Sequence, residues 1–290
     1  MANLKELRNK IGVIQSTRKV TSAMKLVAGV KLKKAEQKAL SSREYASELS
    51  QIISKIRREL IDTKHELFFG RKNVQTEMLA VFASDKGLCG NFNYVINKET
   101  SGLIEEIYSR GRNVKIICIG SKLIDLLKQK LRNSDTAELA GGFYNVGDLF
   151  ENSHRLAEKI IGYFRSGAVD KVSLVYTKCH SALHRKIEIR DVIPLVCEPN
   201  PDKTDTVFEP NAAEVLDKIV PYNIAIQIYQ AALESIAGEQ SSRMTSMDNA
   251  TRNADELLSD LTITCNRTRQ YNITQELVEV ISGASAIAKE

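Results

Sequence analysis

Residues 222–287 read YNIAIQIYQAALESIAGEQSSRMTSMDNATRNADELLSDLTITCNRTRQYNITQELVEVISGASAI, and the reading of this stretch decides the fold. It contains no proline and spaces its apolar residues at helical intervals. As a single helix rising 1.5 Å per residue it would extend roughly 100 Å. A chain of 290 residues has no ordinary core that could bury such a helix. Its surface must be covered by the other end of the chain or sheathed by other proteins. All five prolines fall between Pro194 and Pro221, so residues 1–60 are also free of proline and read as a second long helix.

Both helices carry seams. Leu4, Leu7, Ile11 and Ile14 follow the 3-4 spacing of a coiled coil. The same heptad next delivers Arg18, Thr21 and Lys25, which are poor core residues. The expectation is therefore a phase slip, with the apolar stripe moving to Val20, Met24, Val27 and Val30. Ile52, Ile53, Ile56 and Leu60 keep helical spacing to the end of this segment. In the C-terminal helix Met247, Ala250, Ala254, Leu257 and Leu261 form a seam, followed in phase by Cys265, Thr268 and Asn272. A displaced seam is expected at Ile273, Leu277, Val280, Ala284 and Ile287, beyond a polar waist at residues 266–270. Pro221 predicts a kink near the start of the helix.

The middle of the chain changes period. Met78–Ala83, Val114–Ile119 and Val172–Tyr176 are short apolar runs of buried-strand type. Helical patterns separate them at Asn93–Arg110, Ser121–Leu131 and Val146–Arg165. This alternation predicts a parallel sheet covered on both faces, with right-handed crossovers. Ile187–Leu195 adds a further strand before the proline-bearing link that ends at Pro210. The fold class is α/β: a Rossmann-like three-layer domain with a mostly parallel sheet over 74–200, flanked by long helices over 1–60 and 210–290.

Charge is modestly positive, net +5, and uneven. Ten lysines and arginines crowd the first forty residues against Glu6 and Glu36 alone. Such a run is either a solvated helix face or a surface matched to an acidic partner, nucleic acid or protein. The five cysteines are scattered without CxxC spacing, which suggests a reducing compartment and no zinc. There is no signal-peptide pattern and no apolar run of eighteen residues, so a cytoplasmic protein with indirect membrane attachment is expected.

Little in the middle segment speaks for chemistry. The loop after the first strand, Ser84-Asp85-Lys86-Gly87-Leu88-Cys89-Gly90-Asn91, is neither GxGxxG nor GxxxxGK[ST]. His180 and His184 are spaced as a helical metal pair but lack an acidic partner. No catalytic set, cofactor site or metal site is assigned.

Three stretches together resemble the γ subunit of F-type ATP synthases. The first is Val20-Thr21-Ser22-Ala23-Met24-Lys25-Leu26-Val27-Ala28, and the second is the 84–91 loop continued through Phe92-Asn93. The third runs from Arg243-Met244 through Met247, Ala250-Thr251, Asn253-Ala254, Asn266, Arg269-Gln270 and Ile273-Thr274-Gln275-Glu276 to Ser282-Gly283-Ala284. The resemblance covers the whole chain in order. It implies an antiparallel coiled coil of the two terminal helices and a non-catalytic central-stalk rotor. That rotor carries torque between a membrane ring of c subunits and a catalytic ring of α and β subunits, coupling proton flow to ATP synthesis.

The resemblance further implies an ε subunit at the foot, one copy per complex, and a peripheral position on the cytoplasmic side of a bacterial inner membrane. Met24, Lys25 and Arg243 would then face the β-subunit levers, and Arg269, Gln270 and Thr274 the β catch loop. Met247 would be a further rotor–stator contact, and both it and Met24 can also serve as coiled-coil core. The chain lacks the close cysteine pair of the plant chloroplast members, so redox gating by that route is not expected. Lys289-Glu290 extends slightly past the usual apolar tail. Two other readings stay open on the residues alone. A Rossmann-like enzyme with coiled-coil arms would need a phosphate loop, and a nucleic-acid-binding coiled coil would show affinity falling steeply with salt.

Overall fold

A computed structural model describes residues 4–59, 67, 70–71, 73–131, 136–140, 148–179, 185–195 and 212–287. His65, His180, His184, Cys197, Leu60 and the Lys289-Glu290 tail lie outside them. The first helix, α1, spans Leu4–Glu59 and the last, α5, spans Ala212–Ile287. Pro221 lies inside α5, between the fully buried Val220 and Ile224, so core packing there outweighs the loss of one helix hydrogen bond.

Between the two helices come β1 (Thr76–Phe82), α2 (Phe92–Ser109), β2 (Asn113–Ile119), α3 (Ile124–Lys128) and β3 (Ala137–Ala140). They are followed by α4 (Leu149–Arg165), β4 (Lys171–Cys179) and β5 (Arg185–Ile193). The strands form one sheet in the order β3-β2-β1-β4-β5. The first four are parallel, with Val81 opposite both Cys118 and Val175. β5 runs antiparallel to β4, because residues 180–184 leave a connection too short for a crossover. β3 was not anticipated from the sequence: its AELA run is short and alanine-rich, with no apolar periodicity to mark it.

Residues alternate across the sheet. Leu79, Val81, Ile116 and Cys118 meet Phe92, Ile96, Ile104 and Ile107 of α2 and Leu123 and Leu127 beside and on α3. Met78, Ala80, Phe82, Ile117 and Ile119 share the other core with Ile160 and Phe164 of α4 and with lengths of α1 and α5. The β1 and β2 ends approach so closely that Gly120, at φ +112°, is required: a Cβ there would lie 2.3 Å from the Ala83 carbonyl oxygen.

The contacts divide the chain into two units, Ala28–Arg243 and the pairing of Met1–Val27 with Met244–Glu290. The first holds the three-layer domain. In the second the helices run antiparallel, since Arg18, Thr21 and Lys25 meet Asp255, Thr251 and Asp248 in that order.

Two expectations about the seams are corrected here. The α1 seam does not slip: Leu7 is buried, Ile11, Ile14, Thr21 and Lys25 are half-buried, and Val20 and Val27 stay exposed. The polar residues keep phase because each has a partner on α5. Lys25 Nζ lies 2.6 Å from Asp248, the Thr21 and Thr251 hydroxyls are 2.8 Å apart, and Arg18 lies 2.9 Å from Asp255. From Met247 onward on α5, Met247, Thr251, Ala254, Leu258, Leu261, Cys265, Thr268 and Asn272 are shielded in an unbroken 3-4 alternation, with Asp248 and Ala250 half-buried beside its start. Leu257 lies outside it, and Ile273, Leu277, Val280 and Ala284 form no displaced seam but stand exposed. Hydropathy alone misses this, because cross-helix hydrogen bonds and ion pairs let polar residues occupy seam positions.

Candidate functional site

Two surfaces concentrate the residues singled out by sequence. The first is the coiled-coil unit. From Tyr271 to Ala284 every α5 residue except Asn272 is exposed, including Leu277, Val278, Val280 and Ile281. A helix apolar on several faces belongs in a protein interior, so this one is built to be enclosed. Val13, Val20 and Val27, spaced seven apart on α1, are 65%, 58% and 56% exposed and form an apolar stripe outside the coiled-coil seam.

Met24 and Lys25 lie half-buried beside this stripe, and Met247 is buried in the seam. Lys25 is held by Asp248, which Arg252 also reaches at 2.8 Å. Hydrogen bonding from Lys25, aided by Arg252 and opposed by desolvation, lowers the Asp248 carboxyl below its ordinary range. Arg269, Gln270 and Thr274 are all exposed further along α5, where the Thr274 hydroxyl donates to the Gln270 carbonyl at 2.9 Å.

The second surface is the loop after β1. Asn93 organises it from within: its carbonyl oxygen accepts from the Ser84 amide (3.1 Å) and its amide donates to the Ser84 hydroxyl (2.6 Å). The Asp85 carboxylate accepts from the Ser121 amide at 2.9 Å, tying the loop to the end of β2. α5 grips its carbonyls. Ser242 Oγ donates to Cys89 O at 2.6 Å, and Arg243 Nη2 donates to Lys86 O and Gly87 O at 3.1 and 3.2 Å. Arg243 Nη1 lies 2.7 Å from Glu239, one helical turn earlier. Burial pushes the Glu239 carboxyl up, and Arg243 offsets part of that rise. A phosphate cradle turns backbone N–H groups inward. This loop turns carbonyls toward a cation instead.

Arg243 thus occupies a place that sequence did not suggest. It is neither an exposed helix residue nor oriented outward, and it belongs to the three-layer unit with the 84–91 loop. Lys25 and Met247 belong to the other unit. Glu239, Ser242, Asp248 and Asp255 were not singled out by sequence. The Glu239–Arg243 spacing of four was the one available signal. A polar cleft of about 520 Å³ lined by Arg43, Lys178, Arg190 and Glu234 also exists, but ion pairs fill its charge: Arg43 with Glu234, and Lys178 and Arg190 with Glu188.

A family model described as ATP synthase matches residues 3–287. The ATP synthase gamma chain of Sinorhizobium fredii is 36% identical over 296 residues, covering 99% of this chain and 100% of the relative. That of Chelativorans sp. is 37% identical over 293 residues with the same coverage. Among solved structures, a chain of the Euglena gracilis mitochondrial ATP synthase has a TM-score of 0.64 at 15% identity, covering 98% of this chain and 94% of that one. A chain from the central stalk and c-ring of the Tetrahymena thermophila mitochondrial ATP synthase has a TM-score of 0.60 at 22% identity, covering 80% and 99%. Both structural likenesses concern the fold.

Proposed function

The chain belongs to the ATP synthase gamma-chain family, and from that premise we propose that it is the central-stalk rotor of a proton-translocating ATP synthase. One observation carries the mechanical reading: the exposed apolar surface of α5 from Tyr271 to Ala284, which requires an enclosing sleeve. Apolar contacts are non-directional. A shaft faced with them turns without deep angular minima, whereas rings of directed bonds would hold it at fixed angles.

The rotor is itself non-catalytic. It sits within the α and β subunits of the catalytic ring, with an ε subunit and the c ring at its foot, as a single copy. Its division of labour follows the chain: 1–60 and 210–290 supply the shaft, and 74–200 the domain beside it. Among the described residues no helix is long and apolar enough to cross a membrane. The family reading makes the attachment peripheral, on the cytoplasmic side of a bacterial inner membrane. Met24 and Lys25 meet the β levers, beside the exposed valine stripe. Arg269, Gln270 and Thr274 meet the catch loop, where charge-assisted hydrogen bonds of about 1.5–3 kcal/mol favour one angle without locking it.

The reading is tested by co-purification. The tagged chain should bring down α, β and ε subunits in fixed proportion, and the isolated chain should bind no ATP. Micromolar saturable ATP binding, or recovery of the chain alone, contradicts it. Met24→Lys places a charge beside the apolar stripe. It should permit assembly while lowering proton pumping per ATP hydrolysed, measured in inverted vesicles. Unchanged coupling would remove Met24 from the contact.

A covalent link between the two helices offers a separate check. Thr21→Cys with Thr251→Cys replaces hydroxyls 2.8 Å apart, and should cross-link under mild oxidation. Because both helices turn together, the cross-linked enzyme should retain its ATPase rate. Arrest on cross-linking, reversed by reductant, would mean that the helices move against one another.

A further inference from the structure

Arg243 is where the geometry carries furthest beyond the family reading. Its side chain is only 10% exposed, and both terminal nitrogens are engaged, one by Glu239 and the other by two loop carbonyls. A guanidinium so placed cannot offer its charge to another subunit. What it does hold outward is the loop tip. Leu88 has φ +62°, a backbone conformation that leucine rarely adopts, and the residue is 62% exposed. The tip is bracketed by carbonyls that α5 grips, Lys86 and Gly87 on one side and Cys89 on the other. Strain of this kind persists only where the surroundings over-determine it.

We propose that Arg243, with Glu239 and Ser242, is a positioning residue that clamps the 84–91 loop so that Leu88 projects as an apolar tooth toward the stator. The proposal rests on the rotor reading above and extends it. Torque passes from α5 through Glu239 and Arg243 to the loop carbonyls, and from Leu88 to the surrounding subunits. The arginine transmits load without touching a partner. Lysine is no substitute, since a single ammonium cannot brace Glu239 and two carbonyls in the geometry of a planar fork.

The test uses the assembled complex with two readouts: label mobility from a nitroxide at Leu88→Cys, the other cysteines replaced, and protons pumped per ATP from the unlabelled complex that keeps Leu88. Arg243→Gln should shift the loop's opening equilibrium about tenfold or more, as expected for loss of a charge-assisted bond. Mobility should rise accordingly and coupling fall. Arg243→Lys should lie between wild type and glutamine. A double-mutant cycle then separates clamp from direct contact. With Leu88→Ala already present, Arg243→Gln should lower coupling little further.

Additive losses with unchanged label mobility would overturn the proposal and make Arg243 a direct contact. Raised mobility with intact coupling would also overturn it, since the loop would then carry no load. Failure of the rotor reading itself would appear differently, as loss of co-purification with the wild-type chain.

Discussion

Asp170→Ala should destabilise the three-layer unit by about 3–5 kcal/mol, the usual consequence of stranding the partners of a buried charge. Asp170 is buried, and its two oxygens serve three donors. Oδ1 accepts from Arg71 at 3.0 Å, and Oδ2 accepts from the Gln75 and Thr76 amides at 2.8 and 2.9 Å. These amides lead into β1, the central strand, so the carboxylate fixes where the sheet begins. Arg71 in turn donates to Phe164 O at 2.8 Å and stacks over the Phe164 ring. Removing the acid takes the acceptor from two amides and from Arg71 Nη1 together. Urea titration with hydrogen exchange of the β1 and β4 amides measures the loss. An effect below about 1 kcal/mol would mean that solvent replaces the carboxylate freely.

The same residue sets a pH dependence. Burial alone would raise the Asp170 carboxyl, but the Thr76 and Gln75 amides and then Arg71 outweigh it and hold the carboxyl below its ordinary 3.8. A depressed acid contributes stability that is present above the unfolded value and lost as pH falls through the folded one. Asp170→Asn should therefore flatten the acid limb of the stability profile below about pH 4. It should be milder than alanine at neutral pH, since its carbonyl still accepts.

Gly238→Val should also destabilise the three-layer unit, by a smaller amount and through packing instead of charge. A Cβ at this position would lie 2.8 Å from Thr177 Cγ2, 3.2 Å from Thr177 Cβ and 3.6 Å from Phe92 Cε2. Valine adds two methyl groups to that conflict, and overpacking of this kind costs about 1–3 kcal/mol. Thr177 lies on β4 and Phe92 opens α2, so α5 can relieve the clash only by backing away from the sheet. Glu239 is the next residue, and Ser242 and Arg243 follow within the next turn. The variant should therefore loosen the 84–91 loop as well as lower the unfolding midpoint. Gly238→Ala, with one added carbon, should lose less on both measures. A valine variant as stable as wild type, with an unchanged loop, would show that the helix does not depend on this close approach.

The long helices and the parallel strands β1, β2 and β4 were legible because period and proline placement mark them directly. Val114–Ile119 and Val172–Tyr176 are apolar on both faces, as strands covered by helices on each side must be. The direction of β5 was not read, although the short interval between Tyr176 and Ile187 already excluded a parallel crossover. The seams were half legible. Leu7, Met247 and Ala254 are core residues, as their apolar character suggested. Arg18, Thr21 and Lys25 were misjudged because a seam position tolerates polarity when the facing helix supplies Asp255, Thr251 and Asp248. That information is divided between two segments more than two hundred residues apart. Arg243 was the furthest from view, since nothing in a single helix reveals that loop carbonyls wait beside it.

In the rotor these features have distinct mechanical parts. Cross-helix pairs such as Lys25–Asp248 make two helices turn as one. On the proposed reading the bare apolar end of α5 turns freely in its sleeve, and the clamped loop carries the contacts that differ with angle. Conformational change in surrounding subunits requires such differential contact, because a uniform cylinder would favour no state over another.

Single-molecule observation of this chain in its complex tests the claim most directly. With the α and β ring fixed to a surface and a bead attached to a cysteine introduced at Lys98, an exposed residue of α2, ATP should drive stepwise rotation in one direction. ATP turnover at the normal rate with the bead stationary would contradict the account.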